Sequence, residues 1–371
     1  MKKLYIYKWG KLFFSKLNAF QKIKVSIRKK YKLLSIIILL FIFILNISSD
    51  NSIYWKNTFV TMKLYNESYY NFNYSDIRNN KERELFLKNR TEFYKQSRTN
   101  YLLKHKIVYN EAKLITFQDK ISWLIIHESP QYKSFLVDKI KVRDYSKAIL
   151  GKDICPPLIK IYDNINDINL NDLPDKFVLK FNHASGMNII CEDKSKLNFS
   201  EVLKVLRIWN NTHGTLETAQ FQYIYVKKRI LVEKFIGKEL IDYKIFCFNG
   251  QPKFIQIKKL LNKKRHTYLH NHYDLNWKLT KIESGIKGYY RNPKIKIPKP
   301  KNLKLMIKYA KMLSQEFVFA RVDLYEVDNR VYLGEMTFSP SNGFAWKNIK
   351  QNIQIAKLID LRKIKFYLFN K

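Results

Sequence analysis

The sequence predicts an α+β fold, and three observations carry that prediction. Residues 317–343, FVFARVDLYEVDNRVYLGEMTFSPSNG, read as two strands around a tight turn at Asp328-Asn329-Arg330. Residues 242–257, DYKIFCFNGQPKFIQI, read as a second hairpin turning at Asn249-Gly250, a pair suited to two-residue turns. Residues 199–209 and 302–317 place apolar side chains at helical spacing, giving each an inward face.

A chain of 371 residues is long enough for one large or two ordinary domains with an ample core. Gly and Pro number only 10 and 9, so most of the chain should be globular. The net charge of +38 is extreme. Lysine and asparagine are spread throughout, which fits biased base composition in the coding DNA. The functional alternative is affinity for an acidic partner such as a nucleotide, an anionic glycan or a membrane surface. No nucleic-acid motif accompanies the lysines, so no nucleic-acid partner is expected. Cys155, Cys191 and Cys247 match no metal or CxxC spacing. Buried thiols are expected.

Residues 1–32 hold eleven Lys or Arg and no acid, and residues 33–47, LLSIIILLFIFILNI, are almost wholly apolar. Fifteen helical residues span about 22 Å, short against a hydrocarbon core of about 30 Å. A signal-peptide core, a short signal anchor and an interfacial helix all meet this description. The long basic flank and the lack of an Ala-x-Ala-like site favour a single-pass anchor through residues 33–48. Seven basic residues lie within about 17 positions before the segment and two after it, so the positive-inside rule places the main domain across the membrane from the N-terminus. A nucleotide-using domain is easiest to explain in the cytoplasm, so its side stays open. Residues 49–110, rich in Asn, Tyr, Ser and Lys, read as a stem, with sequons at Asn66, Asn73 and Asn89.

From residue 115 the pattern tightens. Residues 115–126 suit a helix with Ile121, Leu124 and Ile125 inward, and residues 135–150 suit another, on which Lys139 and Arg143 share a face. Residues 173–191, LPDKFVLKFNHASGMNIIC, read as strand, small polar loop and strand. The loop, Asn182 to Gly186, can lay backbone N–H groups over phosphates, although one glycine makes the signal weak. Lys180 sits in an apolar strand, where an unpaired ammonium is costly, so it should meet an anion. His183 reads equally as cap or ligand. Residues 229–235 form a strand carrying Glu233. Lys244, Phe246 and Phe248 share one face of the 242–257 hairpin. The following stretch reads as a basic loop. Its His266, His270 and His272 lack the acids or thiols of a metal site. Residues 292–301 form a Pro-rich linker, Asn302 caps the helix that delivers the last hairpin, and residues 348–371 read as a basic helix.

In that last hairpin a three-residue loop places Asp323 opposite Glu335, Arg321 opposite Thr337 and Tyr325 opposite Leu333, all on one face. Val318, Ala320, Val322, Leu324, Met336 and Phe338 then point the other way into a core. A two-residue loop separates the two acids unless a strand bulges. Two facing acids repel unless a cation lies between them, and Mg²⁺ bridged to phosphates is the usual one. The bland alternative is a solvated face whose acids pair with lysines.

Taken in order, TFQDKISWL, VDKIKVRDY, LPDKFVLKFNHASGMNII, VEKFIGKELIDYKIFCFNGQPKFIQI and the final hairpin resemble the TupA-like ATP-grasp family of polysaccharide biosynthesis. The resemblance runs from about residue 116 to 343. It implies an ATP-grasp fold, two α+β subdomains gripping a nucleotide, over residues 111–347. That domain would follow the basic tail, the anchor helix and the stem, and precede the C-terminal helix. It also implies roles. Lys139 and Lys180 contact the nucleotide phosphates, with the loop of Asn182, His183, Ser185 and Gly186 over them. Glu233 binds the base or ribose end, and Lys244 joins the nucleotide set. Asp323 and Glu335 hold Mg²⁺, with Thr337 where the family often has Asn, and Arg321 faces the transferring phosphoryl group. ATP and Mg²⁺ are the implied cofactors. The implied reaction activates a carboxylate as an acylphosphate for attack by an amine, with an anionic glycan or uronic acid as acceptor. A membrane-tethered glycosyltransferase or glycan kinase is the alternative enzyme, and a basic binding module for anionic polymer is the non-enzymatic one.

Overall fold

Two left-handed dipeptides set the strand pairing. At Asn249-Gly250 the backbone takes φ of 50° and 74°, and at Asp328-Asn329 it takes 48° and 60°, the geometry of two-residue hairpin turns. The fold is that of a computed structural model, which describes residues 88–128, 130–183, 186–211, 218–238, 240–262, 265, 267–346 and 348–364. The basic tail, the apolar segment, most of the stem, Ser185 and His266 lie outside the described residues. Among the described residues no helix is long and apolar enough to cross a membrane.

Helix α1 (Arg90–Lys104) starts at Asn89, which accepts from the Glu92 amide, and α2 (Phe117–His127) starts at a capping box formed by Thr116 and Asp119. Helices α3 (Pro130–Val137) and α4 (Val142–Leu150) follow. The sequence suggested one helix over 135–150. Instead Asp138 turns the chain: its Oδ1 accepts from the amides of Ile140 (2.8 Å) and Lys141 (3.4 Å). Lys139 therefore lies in a turn and does not share a helix face with Arg143.

Strands β1 (Leu158–Tyr162), β2 (Phe177–Phe181), β3 (Asn188–Cys191) and β4 (Ile230–Lys234) form an antiparallel sheet ordered β1-β4-β2-β3. Helix α5 (Phe199–Asn210) belongs to this part. Its Val202 and Leu206 join Phe177, Leu179, Phe181, Ile230 and Val232 in a separate core.

Strands β5 (Asp242–Phe248), β6 (Gln251–Asn262), β7 (Thr267–Tyr273), β8 (Tyr289–Tyr290), β9 (Phe319–Val327) and β10 (Arg330–Thr337) form a second sheet ordered β10-β9-β5-β6-β7-β8. The stretch read as a basic loop is thus largely sheet, and His270 and His272 are buried on β7. Residues 291–300 carry neither helix nor strand, as a linker should. Helix α6 (Leu303–Ser314) then packs Leu303, Met306, Ala310 and Leu313 against Ile245, Cys247, Val322 and Leu324. The tail forms helix α7 (Ile349–Ala356) and a 3-10 turn (Leu361–Lys363), so it is not one continuous helix.

The opposite face of the six-stranded sheet is divided. At one end Phe246, Phe248, Phe254 and Phe319 are covered by α1, α2 and α7 through Phe93, Phe117, Ile121 and Ile355. Arg98 of α1, fully buried, donates to Ser122 Oγ, to Asn342 Oδ1 at 2.7 Å and to the Asn342 carbonyl at 2.8 Å. It thereby holds the left-handed residues Ser341 and Asn342 (φ 47° and 57°). The stretch read as a stem thus supplies a packed helix. At the other end the face is charged.

The final hairpin corrects one expectation and keeps its result. The loop has two residues, because Val327 pairs with Arg330. A bulge between Leu333 and Glu335 then shifts the register, so Asp323 faces Glu335 and Arg321 faces Thr337. Tyr325 pairs with Tyr332, and Leu333 pairs with Leu324.

Candidate active site

Strand registers assemble the charged face in rows. Glu335, Asp323, Lys244, Gln256 and His272 are successive cross-strand partners over β10, β9, β5, β6 and β7. Asp242, Lys258 and His270 form the adjacent row. Alternation puts Arg321 on the same face as Asp323.

Asp323 is 1% exposed and is held by two cations. Arg321 reaches it with Nε to Oδ1 and Nη2 to Oδ2, both at 2.7 Å, a planar two-bond match. Lys244 Nζ binds Oδ2 as well, with Asp242 at 3.4 Å on its other side. Burial pushes the Asp323 carboxyl up, but Arg321 and then Lys244 outweigh burial and hold it below the usual carboxylate range. Burial likewise lowers Arg321 and Lys244, yet their acids bring both above ordinary values. Glu335 Oε1 accepts from Arg321 Nη2 at 3.3 Å and from Thr337 Oγ1 at 3.2 Å. Thr337 Oγ1 also accepts from Arg321 at 3.1 Å, so its hydroxyl links the two ends of the cluster. Glu335 lines a cleft, and no hydrogen bond or ion pair reaches its Oε2 among the described residues.

Two facing carboxylates without thiol or imidazole are hard oxygen donors, and that set fits Mg²⁺ sharing phosphate and water ligands. Among the described residues no group of three or more His, Cys, Asp or Glu forms a closed cage. Glu335 would meet such an ion directly, and Asp323 would do so only after giving up Lys244 or Arg321.

The four-stranded sheet supplies a second cluster. Glu233, with its side chain 4% exposed, accepts from Arg143 Nη2 on Oε1 and from Lys180 Nζ on Oε2, each at 2.5 Å. Lys180 thus meets an anion, as its apolar strand required, and that anion is protein. Arg143 also binds Asp153 at 2.8 Å and the Pro156 carbonyl. Lys139 is half-buried. Burial lowers its ammonium while Glu335 pulls it up, and Lys180 adds repulsion, so Lys139 lies in the field of both clusters. Asn182 is fully buried and spends its side chain on the protein. Its Nδ2 donates to Asp138 (3.0 Å) and the Lys227 carbonyl (2.9 Å), and its Oδ1 accepts from the Arg229 amide (2.8 Å). It anchors the loop. His183 is buried edge-on against Phe181. Gly186 is exposed at φ 78°.

Two clefts open on this face. One, of about 470 Å³, runs between the sheets and is lined by Val178, Lys180, Ile190, Glu233, Phe235 and Leu240 among others. Its apolar walls and charged end suit a flat heteroaromatic ring carrying phosphates. The other, of about 460 Å³, is bounded by Lys244, Arg321, Glu335 and Thr337 on the sheet and by Tyr223 and Ser341 opposite. Lys258 lines both.

The structure therefore brings Lys180 and Glu233 to one cleft and Lys244, Arg321, Glu335 and Thr337 to the other, with Asp323 buried behind the second and Lys139 in the field of both clusters. Sequence reasoning did not assign Arg143, Gln256, Lys258 or His270. Alternation along β6 from Phe254 would have put Gln256 and Lys258 on the Lys244 face, but the spread of lysines hid that signal.

A family model described as TupA-like ATPgrasp matches residues 119–352. Among solved structures, D-alanine–D-alanine ligase from Bacillus anthracis complexed with ATP is 17% identical, covering 62% of this chain and 69% of that one, with a TM-score of 0.32. L-amino acid ligase from Bacillus licheniformis is 14% identical over 65% and 54% of the two chains, TM-score 0.39. N5-carboxyaminoimidazole synthetase from Staphylococcus aureus complexed with ADP is 14% identical over 57% and 48%, TM-score 0.33. This chain thus spans between about half and two thirds of these proteins' lengths. No curated protein sequence matches it.

Proposed function

This chain belongs to the TupA-like ATP-grasp family, and from that premise we propose that it is an ATP- and Mg²⁺-dependent carboxylate–amine ligase. One observation supports the reading above the rest: Asp323 and Glu335 face each other across β9 and β10, clamped by Arg321 and Lys244, at the mouth of a cleft.

When bound, MgATP supplies the electrophilic γ-phosphoryl group. The protein's part is positioning and charge. Asp323 and Glu335 would hold the ion, and the side chains they release, Lys244 and Arg321, would turn to the phosphate oxygens. Lys139 and Lys180 would approach from the other cluster, and Arg143 would hold Glu233 in place as Lys180 turns to phosphate. Once turned, these cations would offset the negative charge that develops on the phosphate oxygens. No nucleophilic side chain is needed.

The acceptor we propose is the carboxylate of a uronic acid in a cell-surface polysaccharide, with residues 33–48 tethering the enzyme to a membrane. The resemblance of the five sequence blocks supports the first part and the apolar run supports the second. The test is ATP consumption by the full chain against a panel of uronic acids and amines. Mg²⁺-dependent release of ADP and phosphate should require both a carboxylate and an amine. Turnover by an alcohol acceptor without a carboxylate would indicate a glycan kinase instead.

A further inference from the structure

Among the cations on the charged face, Lys258 stands apart in its surroundings. Lys244 has Asp242 and Asp323, Arg321 has Asp323 and Glu335, and Lys180 has Glu233. Among the described residues no carboxylate lies within ion-pair distance of Lys258. Its cross-strand partner Asp242 turns toward Lys244 instead. The Lys258 ammonium rests on ring faces, 4.6 Å from the centroid of Tyr268 and 5.6 Å from that of Tyr289. Those two rings stack on each other at 5.1 Å and 16°, and His270 packs on Tyr289 at 4.5 Å. Ring quadrupoles hold an ammonium in place but do not neutralise it. The result is a positioned, half-buried ammonium with no carboxylate partner among the described residues, and it lines both clefts.

The 460 Å³ cleft has a matching character. Its lining offers neutral hydrogen-bonding groups, including Tyr223, Gln256, Ser339 and Ser341, and among its described lining residues the single carboxylate is Glu335. His270, in the same wall, stays neutral: burial pushes its pKa down to about 2, and His272, Lys244, Arg321 and Lys258 add to the effect. A zwitterionic amino acid would bring an ammonium to a wall of three cations whose one carboxylate among the described lining residues, Glu335, already accepts from Arg321.

We propose that Lys258, seated on the Tyr268–Tyr289 pair, takes the carboxylate of the acceptor and holds it in line with the γ-phosphoryl group. The uronic carboxylate proposed above, whose other groups are uncharged hydroxyls, fits the neutral hydrogen-bonding lining of this cleft. The assignment rests on the ligase reading above. In the step it serves, a carboxylate oxygen bonds to the γ-phosphorus as the bond from that phosphorus to the bridging oxygen breaks. ADP leaves with the electron pair, and no proton moves. The ammonium offsets carboxylate charge that would otherwise repel the triphosphate, and it does so without joining the nucleotide's own contacts.

The experiment uses the full chain with MgATP, glucuronate as the probe carboxylate and hydroxylamine to trap acylphosphate as hydroxamate. The wild type should form hydroxamate from glucuronate at least tenfold more efficiently than from alanine. Lys258→Met should raise the glucuronate KM tenfold or more while leaving the Kd for MgADP within twofold, and Lys258→Arg should recover part of the loss. Tyr268→Leu, which keeps the ammonium and removes its seat, should move the KM in the same direction. A glucuronate KM unchanged in Lys258→Met, an equal loss of MgADP affinity, or a preference for alanine would overturn the assignment while leaving the ligase reading intact. Absence of hydroxamate in a wild type that binds MgADP would sink the ligase reading, and the assignment with it.

Discussion

Gly334 lies beneath the ring of Tyr325: a Cβ built on it would stand 2.7 Å from Tyr325 Cε2 and 3.1 Å from Cζ. That vacancy sits at the bulge which brings Glu335 opposite Asp323. Gly334→Ala should therefore displace the ring or flatten the bulge, at a cost of about 1–3 kcal/mol. Denaturant unfolding measures the cost, and Mg²⁺-dependent nucleotide binding should weaken with it. Tyr325→Ala in the Gly334→Ala background should return part of the lost stability, because the two residues share one space. An unchanged unfolding midpoint in Gly334→Ala would show that the ring does not press there.

Glu233→Gln removes the anion that joins Arg143 to Lys180. A buried guanidinium that keeps Asp153 and a half-buried ammonium are left facing each other. The loss should lie below the cost of breaking a fully buried pair, about 3–5 kcal/mol. Urea unfolding of the ligand-free protein should show the loss. Saturating MgADP should restore more stability to this variant than to the wild type, since phosphate oxygens can replace the missing carboxylate. Equal ligand stabilisation of the two proteins would mean that the phosphates do not reach this cluster.

Asp323→Asn and Glu335→Gln address the acid pair. Calorimetric titration with ATP, with and without Mg²⁺, should show each variant losing at least tenfold of the metal-dependent affinity, about 1.4 kcal/mol. Of the two, Glu335→Gln should act without disturbing the fold, because its carboxylate borders the cleft. Asp323→Asn should also lower stability, because Arg321 and Lys244 lose their buried partner. Metal-dependent affinity retained in both would remove the pair from the site.

His270 and His272 predict an acid-sensitive fold. Burial is the leading cause in both, lowering His270 from 6.5 to about 2 and His272 from 6.5 to about 3. Between those values and pH 6.5 the unfolded chain binds protons that the folded chain refuses. Stability is therefore full above about pH 6.5 and falls as the pH drops, approaching about 1.4 kcal/mol per pH unit for each histidine. His272→Gln should reduce that slope by about one histidine's share in urea unfolding at pH 4–6. An unaltered slope would show that the ring protonates freely in the folded state.

The hairpins and most of the amphipathic helices were legible because their signals are local. Asn249-Gly250 and Asp328-Asn329 announce turns, and Leu303, Met306, Ala310 and Leu313 announce a buried helix face. The acid pair was legible only conditionally. Its register depends on a bulge at Gly334 that alternation cannot foresee but a packed ring requires. Arg143 was hidden because its partner lies ninety positions away on another strand. The break at Asp138 was missed because helical spacing on both sides looked continuous, whereas a buried carboxylate capping two amides ends the helix. Helix α1 was taken for stem because its composition is polar. It is fixed by Phe93 and Tyr94 in the aromatic core and by a buried arginine that ties it to Asn342.

The Arg321–Asp323–Lys244 clamp has a consequence for selectivity. A carboxylate held by a guanidinium and an ammonium is a built-in rival for any anion that seeks those same cations. Bare ATP must evict Asp323 and bring nothing to it in return. The Mg²⁺ complex offers Asp323 a replacement partner in the same exchange, so the swap conserves the count of opposed charges. The clamp is thus a filter that admits nucleotide in its metal-loaded form. Removing the rival should open the filter: Asp323→Asn should bind metal-free ATP more tightly than the wild type does, even as its affinity for the Mg²⁺ complex falls.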